Sequence, residues 1–352
     1  MSDISQFDKN FKIDTDLGRD DIVWHDPRKD PFSMYGVYFD GECYRRMPDD
    51  IAENVSGGVR ELAKNTAGGR VCFATDSDFV AISYKRAALW KMSHMALTGS
   101  AGFDMYIRIN GKETYYGVFV PTQSSAGYDA ILKFPTKEKR EIILRFPLYT
   151  GATQLVVGLQ DGACLEKWSG YKIEKPIVFY GSSITQGACA SAPGTDYASR
   201  VSRRFDANYL NLGFSGNAKG EDAMMDYIAS LDMSCFVYDY DYNAPDASHL
   251  EKTHYKGYRK VRDAQPDLPI VMMSAPNYDR LTQDQTARRD VIAASYERAI
   301  AEGDKNVYFV DGKKYFATFN ADSCSVDGTH PNDHGFFVMA EAVIDQMKNF
   351  WN

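Results

Sequence analysis

Up to about residue 172 the apolar positions fall in short alternating or β-branched runs broken by Gly, Asn and Asp, as at 70–74, 79–84, 103–110 and 115–121. A period of two sends one face of a strand into a core and the other outward, so these runs predict an antiparallel sandwich. The segment 141–146 alternates in the same way and is closed by Pro147, and the run 154–159 follows as another strand after a turn at Gly151. Helical periodicity is nearly absent from this half.

Past Glu174-Lys175-Pro176 the pattern changes. Short, almost wholly apolar runs alternate with longer amphipathic stretches, as expected of strands buried on both faces with helices between them. Strands are predicted at 177–180, 209–212, 235–240, 270–274 and 307–310, and helices at 197–205, 223–231, 255–264, 286–302 and 336–350. The expected fold class is α/β: a flavodoxin-like three-layer α/β/α domain with a five-stranded parallel sheet at 175–352. An antiparallel, jelly-roll-like β-sandwich domain at 1–174 precedes it.

A chain of 352 residues exceeds the size at which one core usually keeps growing, which agrees with two domains. Its 44% hydrophobic and 25% charged residues are ordinary for a folded protein. The net charge of -8, with basic residues scattered rather than striped, argues against nucleic acid as a partner and against an acidic polymer as a substrate. No run approaches the ~18 apolar residues of a membrane span, so no membrane partner is expected. The opening segment carries neither a basic nor an apolar signal region, which suits a cytoplasmic protein or a mature chain relieved of its leader. Six widely spaced cysteines, Cys43, Cys72, Cys164, Cys189, Cys235 and Cys324, form no Cys-x-x-Cys pair and read as free thiols in a reducing compartment.

Candidate chemistry gathers after the predicted parallel strands, where open α/β sheets hold their ligands. The first strand runs into Gly181-Ser182-Ser183-Ile184-Thr185-Gln186-Gly187. Alone, a serine there is as readily a helix N-cap as a nucleophile. Near the other end stands Asp327-Gly328-Thr329-His330, just before the last amphipathic stretch. A spacing of three across a tight turn lets the carboxylate accept from His330 Nδ1 and leaves Nε2 to take a proton. His334 has no upstream acid at that spacing and reads as a local loop residue. The second strand leads into Asn211-Leu212-Gly213-Phe214-Ser215-Gly216-Asn217 and the third into Asp239-Tyr240-Asp241-Tyr242-Asn243. Backbone N–H groups of Ser183 and Gly216 with the Asn243 amide would give an oxyanion three donors, although each residue is also an ordinary turn former.

With these blocks the stretch from Ile177 onward resembles the SGNH, or GDSL, hydrolases. Gly181-Ser182-Ser183-Ile184-Thr185 matches the first block of that family, Gly216 the glycine of the second, Asn243 the asparagine of the third, and Asp327 and His330 the last. Two departures stand out. The family's aspartate before the nucleophile is Ser182 here, so either serine can be proposed, and register against Ile184 and Thr185 selects Ser183. The usual Gly-x-Asn-Asp of the third block is Asp241-Tyr242-Asn243-Ala244. Upstream, Gly102-Phe103-Asp104-Met105-Tyr106 resembles the Gly-x-Asp-Leu-Tyr signature of sandwich domains that precede a subset of bacterial SGNH hydrolases associated with carbohydrate deacetylation. It reads either as a turn entering a strand or as a substrate-facing segment, and it is assigned no catalytic part.

The resemblance implies a serine esterase with Ser183 as nucleophile, His330 as general base and Asp327 as its orienting acid. Ser183, Gly216 and Asn243 would form the oxyanion hole, and neither a metal nor an organic cofactor is required. No His/Cys set has zinc-type spacing along the sequence. With no greasy lid-like segment near Ser183, a small acyl group is expected, carried by an acetylated carbohydrate such as an oligosaccharide ester. A general short-chain acyl esterase or thioesterase, and a degenerate carbohydrate-binding protein, stay open as alternatives, as does the oligomeric state.

Overall fold

The computed structural model describes residues 17–276, 282–315 and 323–351. In the N-terminal half two antiparallel sheets face each other. One is ordered Ile22–His25, Gln154–Gln160, Phe79–Lys85, Gly127–Lys133. The other runs Leu165–Glu166, Arg70–Thr75, Arg140–Arg145, Phe103–Ile109, Lys112–Phe119, with Ser33–Tyr35 also paired to Arg70–Thr75. Val71, Phe73, Ile142 and Leu144 enter the core between the sheets together with Val80, Ile82 and Val157. Their strand neighbours Cys72 and Ile143 point the other way, yet they too are buried, in a second cluster with Tyr106, Trp168 and Tyr171. This sheet is therefore covered on both faces, and its outer cover includes the C-terminal half.

Two helices in this half, Asp49–Val55 and Gly57–Leu62, have no counterpart in the sequence-based expectation. Ser56 separates them and caps the second, its Oγ accepting from Val59 N at 3.1 Å. Their apolar contribution is thin because they cover only one side: Ala52 and Val59 pack into the same cluster as Val178, Leu212 and Met224 of the C-terminal half.

From residue 173 the chain builds a parallel sheet ordered Ala207–Gly213, Ile173–Gly181, Cys235–Asp239, Ile270–Met273, Val307–Val310. Alternate residues of each strand feed opposite layers. Ile177, Phe179, Val237 and Val271 meet the helices Tyr197–Phe205 and Asp333–Met347. Val178, Tyr180, Phe236 and Ile270 meet Asp222–Ser230, Ala247–Ala264 and Gln283–Ala301. Burial on both sides explains why these strands read as unbroken apolar runs. The helix expected at 255–264 begins earlier, at Ala247, because Asp246 caps it by accepting from His249 N at 2.7 Å. The strand order is that of a flavodoxin-like sheet, with the first strand lying between the second and the third and all carboxyl ends on one edge. Among the described residues no helix is long and apolar enough to cross a membrane.

Candidate active site

The inner strand Ile173–Gly181 delivers the chain into a tight turn. A Cβ on Gly181 would lie 2.1 Å from both Asp239 O and Thr185 Oγ1, so only glycine lets the neighbouring strand and the turn close up there. Ser182 caps the one-turn helix Ser183–Gln186, its Oγ accepting from Ile184 N at 3.2 Å. Ser183, 8% exposed, instead places its Oγ 2.8 Å from His330 Nε2. Of the two serines the sequence offers, one is a cap and the other is held against an imidazole.

His330 arrives on a loop closed by Val326 N donating to His330 O at 2.9 Å and Asn332 N donating to Cys324 O at 3.0 Å. Within it, one Asp327 oxygen accepts from the backbone N–H of His330 at 2.7 Å and of Thr329 at 3.0 Å. The other lies 2.7 Å from His330 Nδ1. Partial burial works to raise the Asp327 carboxyl, but these backbone donors and the imidazole outweigh it and hold it down to about 2. Asp327 is thus a firmly ionised acceptor that fixes the ring, with Nδ1 bearing the hydrogen and Nε2 turned to Ser183. His334 is exposed on the first turn of Asp333–Met347, apart from this chain of bonds.

The candidate oxyanion donors lie on the loops that follow the next two strands. Gly216 sits in the left-handed region, φ +69°, with open space where a Cβ would be, so backbone conformation rather than crowding selects glycine. Among the described residues neither the Ser183 nor the Gly216 N–H has an acceptor. Asn243 ends a short 3-10 turn, and its Oδ1 accepts from Ala218 N at 3.3 Å. That bond ties the second and third blocks together and leaves the Asn243 NH2 end to donate.

Residues to which the sequence reading gave no role of their own hold these loops in place. Gln186 donates to Leu148 O at 3.2 Å and accepts from Ser215 N at 3.1 Å, linking the Ser183 turn to the Gly216 loop. Asn211 donates to Thr185 O at 2.7 Å and accepts from Gly213 N at 2.9 Å. Buried Asp239 accepts from Thr185 Oγ1 at 3.0 Å and from Tyr197 OH at 2.9 Å, while burial and then Asp241 push its carboxyl well above the usual range. Asp333, three residues beyond His330, accepts from Ser191 N at 2.9 Å and Thr195 Oγ1 at 2.7 Å, anchoring the histidine loop to the segment after the Ser183 turn. Each bond joins residues distant in sequence or buried in a strand, so no local spacing announces them.

The N-terminal half reaches the same place. Tyr149 OH donates to Ser183 O at 3.2 Å, and the exposed His94 brings its ring centroid to 5.7 Å from that of His330. The Gly102–Tyr106 signature proves to be a bolt between the halves. Asp104 Oδ2 accepts from Gly194 N at 2.6 Å, and Tyr106 OH donates to Gly194 O at 3.3 Å. Burial lifts the Asp104 carboxyl to about 6 against the pull of Arg145, the Gly194 N–H and Arg203.

Comparison with known proteins agrees with this arrangement. Residues 174–348 match the GDSL-like lipase/acylhydrolase family, and residues 22–165 match the GxDLY family, the N-terminus of SGNH-hydrolase-type esterases. None of the curated proteins compared with the chain matches it. Among solved structures, a Bacteroides ovatus protein described as a GDSL-like lipase is 27% identical, with a TM-score of 0.84 over 93% of this chain and 97% of its own. A salicylyl-acyltransferase from a tetracycline biosynthetic pathway is 18% identical, with a TM-score of 0.77 over 94% and 98%. A family two carbohydrate esterase from Clostridium thermocellum, in complex with cellohexaose, is 16% identical, with a TM-score of 0.57 over 81% and 93%. The last two share the fold. With one family model on each half and the hydroxyl, imidazole and carboxylate aligned at the sheet edge, the chain belongs to the GDSL-like, SGNH-type ester hydrolases that carry a GxDLY N-terminal domain.

Proposed function

We propose that the protein is a serine esterase that removes a small acyl group, acetyl first, from an acylated carbohydrate through an acyl-enzyme. The observation that carries this reading is the 2.8 Å contact of Ser183 Oγ with His330 Nε2, backed by Asp327 on the other ring nitrogen. Ser183 Oγ attacks the ester carbonyl and its proton passes to His330 Nε2. The carbonyl oxygen, now negative, receives hydrogen bonds from the N–H groups of Ser183 and Gly216 and from the Asn243 NH2. As the tetrahedral centre collapses, the C–O bond to the sugar breaks and His330 returns the proton to the departing sugar oxygen. Water, deprotonated by His330, then attacks the acyl-serine ester, and as the acyl–Oγ bond breaks His330 returns that proton to Ser183 Oγ and the acid is released.

Two features support a sugar ester. The two-part architecture is shared with the cellohexaose-bound carbohydrate esterase. In addition, the segment that brings His94 to His330 carries Trp90, 71% exposed, the kind of face on which a sugar ring stacks. The test is acetate release, followed by NMR, from acetylated xylan and mannan oligosaccharides, compared with p-nitrophenyl acetate and acetyl-CoA. Ser183→Ala is expected to abolish both turnover and labelling by a fluorophosphonate, while Ser182→Ala keeps them. Labelling retained in Ser183→Ala would remove the nucleophile assignment. Faster turnover of acetyl-CoA than of any acetylated sugar would replace the substrate class with a thioester.

A further inference from the structure

His94, Cys189 and His330 are far apart in sequence, yet one ligand atom from each lies within 4.8 Å of the others. The three come from separate parts of the fold. His94 lies in the N-terminal half, Cys189 on the turn just past the nucleophile helix, and His330 on the last loop before the C-terminal helix. Cys189 is a free, buried thiol held in the left-handed region at φ 71°, a conformation that costs a non-glycine residue and here keeps the side chain beside the histidine. The mechanism above gives neither Cys189 nor His94 a task.

We propose that these three side chains form an inhibitory site for a borderline-soft divalent cation, zinc above all, which switches the enzyme off by taking its base. Two imidazoles and a thiolate are the donors zinc prefers, and they leave its fourth position to water. Zinc–ligand bonds of about 2.0–2.3 Å place donor atoms roughly 3.3–3.7 Å apart, so the set must close by about 1 Å. His94, on an exposed surface segment, is the member free to move. Magnesium and calcium, which take oxygen donors, have no such set here.

The balance is simple. Zinc binds Cys189 Sγ and one proton leaves to solvent. His330 Nδ1 keeps its hydrogen on Asp327, so the lone pair available to the metal is that of Nε2, now withdrawn from Ser183. No electron changes hands. Occupied, the site leaves Ser183 without a base; empty, it leaves the hydrolase as described.

The inhibition rests on His330 being the base, whereas the metal site does not, and the experiment separates the two. Cobalt(II) added to the full-length protein is expected to give a sulfur-to-cobalt charge-transfer band and tetrahedral d–d bands, both displaced by zinc. Esterase activity is expected to fall with zinc and return with EDTA. Cys189→Ala and His94→Ala are expected to keep basal turnover, to lose the sulfur band or the tetrahedral spectrum respectively, and to need about 100-fold more zinc for the same inhibition. Zinc inhibition unchanged in both variants, or a wild-type protein with no sulfur–cobalt band, overturns the site. A cobalt spectrum that depends on both residues while turnover stays untouched upholds the site and sinks His330 as the base.

Discussion

Asp327 spends its whole hydrogen-bonding capacity on one neighbour and one turn. It holds the His330 ring and accepts the backbone N–H groups of Thr329 and His330. A carboxyl depressed to about 2 contributes stability in full above its unfolded value near 3.8 and loses it as pH falls through 2, so the ring stays oriented at any ordinary assay pH. His330→Ala is therefore expected to lower kcat by about 10⁴-fold. Asp327→Asn, which loosens the ring but leaves the base in place, is expected to be damaging but milder than that. Steady-state kinetics on p-nitrophenyl acetate measure both, and equal activity of the two variants with wild type would dissolve the pair. Ser183, Asp327 and His330 were legible because a turn fixes the spacing of Asp-x-x-His and a glycine-flanked strand end marks the serine. Asp333, Gln186 and Asn211 were not, since their partners are Ser191 and Thr195, Leu148 and Ser215, and Thr185. Nothing in the local sequence around any of them says that its amide or carboxylate faces inward.

The five parallel strands were readable because each is buried on both faces, and an apolar run needs no phase to be recognised. The helices Asp49–Val55 and Gly57–Leu62 escaped because only Ala52 and Val59 are fully buried on them, and Ser56-Gly57-Gly58 resembles a turn. The short turn that ends at Asn243 was legible as an amide after a strand, and its bond to Ala218 orients that amide. Asn243→Ala should lower kcat by about 10²–10³-fold with little change in KM, because the donor acts on charge that appears only in the transition state. A change confined to KM would make Asn243 a ground-state contact instead. The helix Ala247–Ala264 carries a different liability. Among the described residues neither ring nitrogen of buried His254 has a hydrogen-bond partner; the ring stacks on Tyr238 at 4.6 Å, and burial drives its pKa down to about 3. Its unfolded counterpart takes up a proton near 6.5 and the folded one does not, so its contribution is present above 6.5 and is lost as pH falls toward 3. Urea midpoints should fall between pH 7 and pH 5 by an amount worth about 2 kcal/mol at this site, and His254→Phe should remove that part of the fall. An identical acid slope in the variant would show that the ring is not kept neutral by burial.

The two halves differ in architecture but share an interior. Helices of the N-terminal half pack into the cluster that holds Val178, Leu212 and Met224. Among the described residues buried Arg46 has no carboxylate partner. Its guanidinium donates to Leu62 O at 2.7 Å and Asn65 O at 2.8 Å on one side, and to Asn211 O at 3.0 Å and Gly213 O at 2.7 Å on the other. Burial lowers its pKa to about 9, so the cation is retained because backbone carbonyls surround it. Arg70 repeats the device, donating to Tyr209 O at 2.9 Å from 3.9 Å above the Tyr209 ring, and Asp104 does so from the opposite charge. A boundary near residue 175, read from the change of pattern, marks where the secondary structure changes, whereas the core continues across it. Calorimetry on the full chain should accordingly give one unfolding transition. A fragment beginning at residue 170 should lack a sharp one, since the apolar surface under Ala52 and Val59 and the carbonyls held by Arg46 would face water. Arg46→Lys tests the seam inside the intact protein. One ammonium cannot reach four carbonyls in two directions, so stability should drop by about 3 kcal/mol. Because Asn211 and Gly213 lead directly into the Gly216 loop, kcat should fall with it while KM moves little. Two resolved transitions in the wild type, or a lysine variant that melts early yet turns over at the full rate, would mean that the sandwich is a separate body and that the oxyanion loop is held by its own half alone.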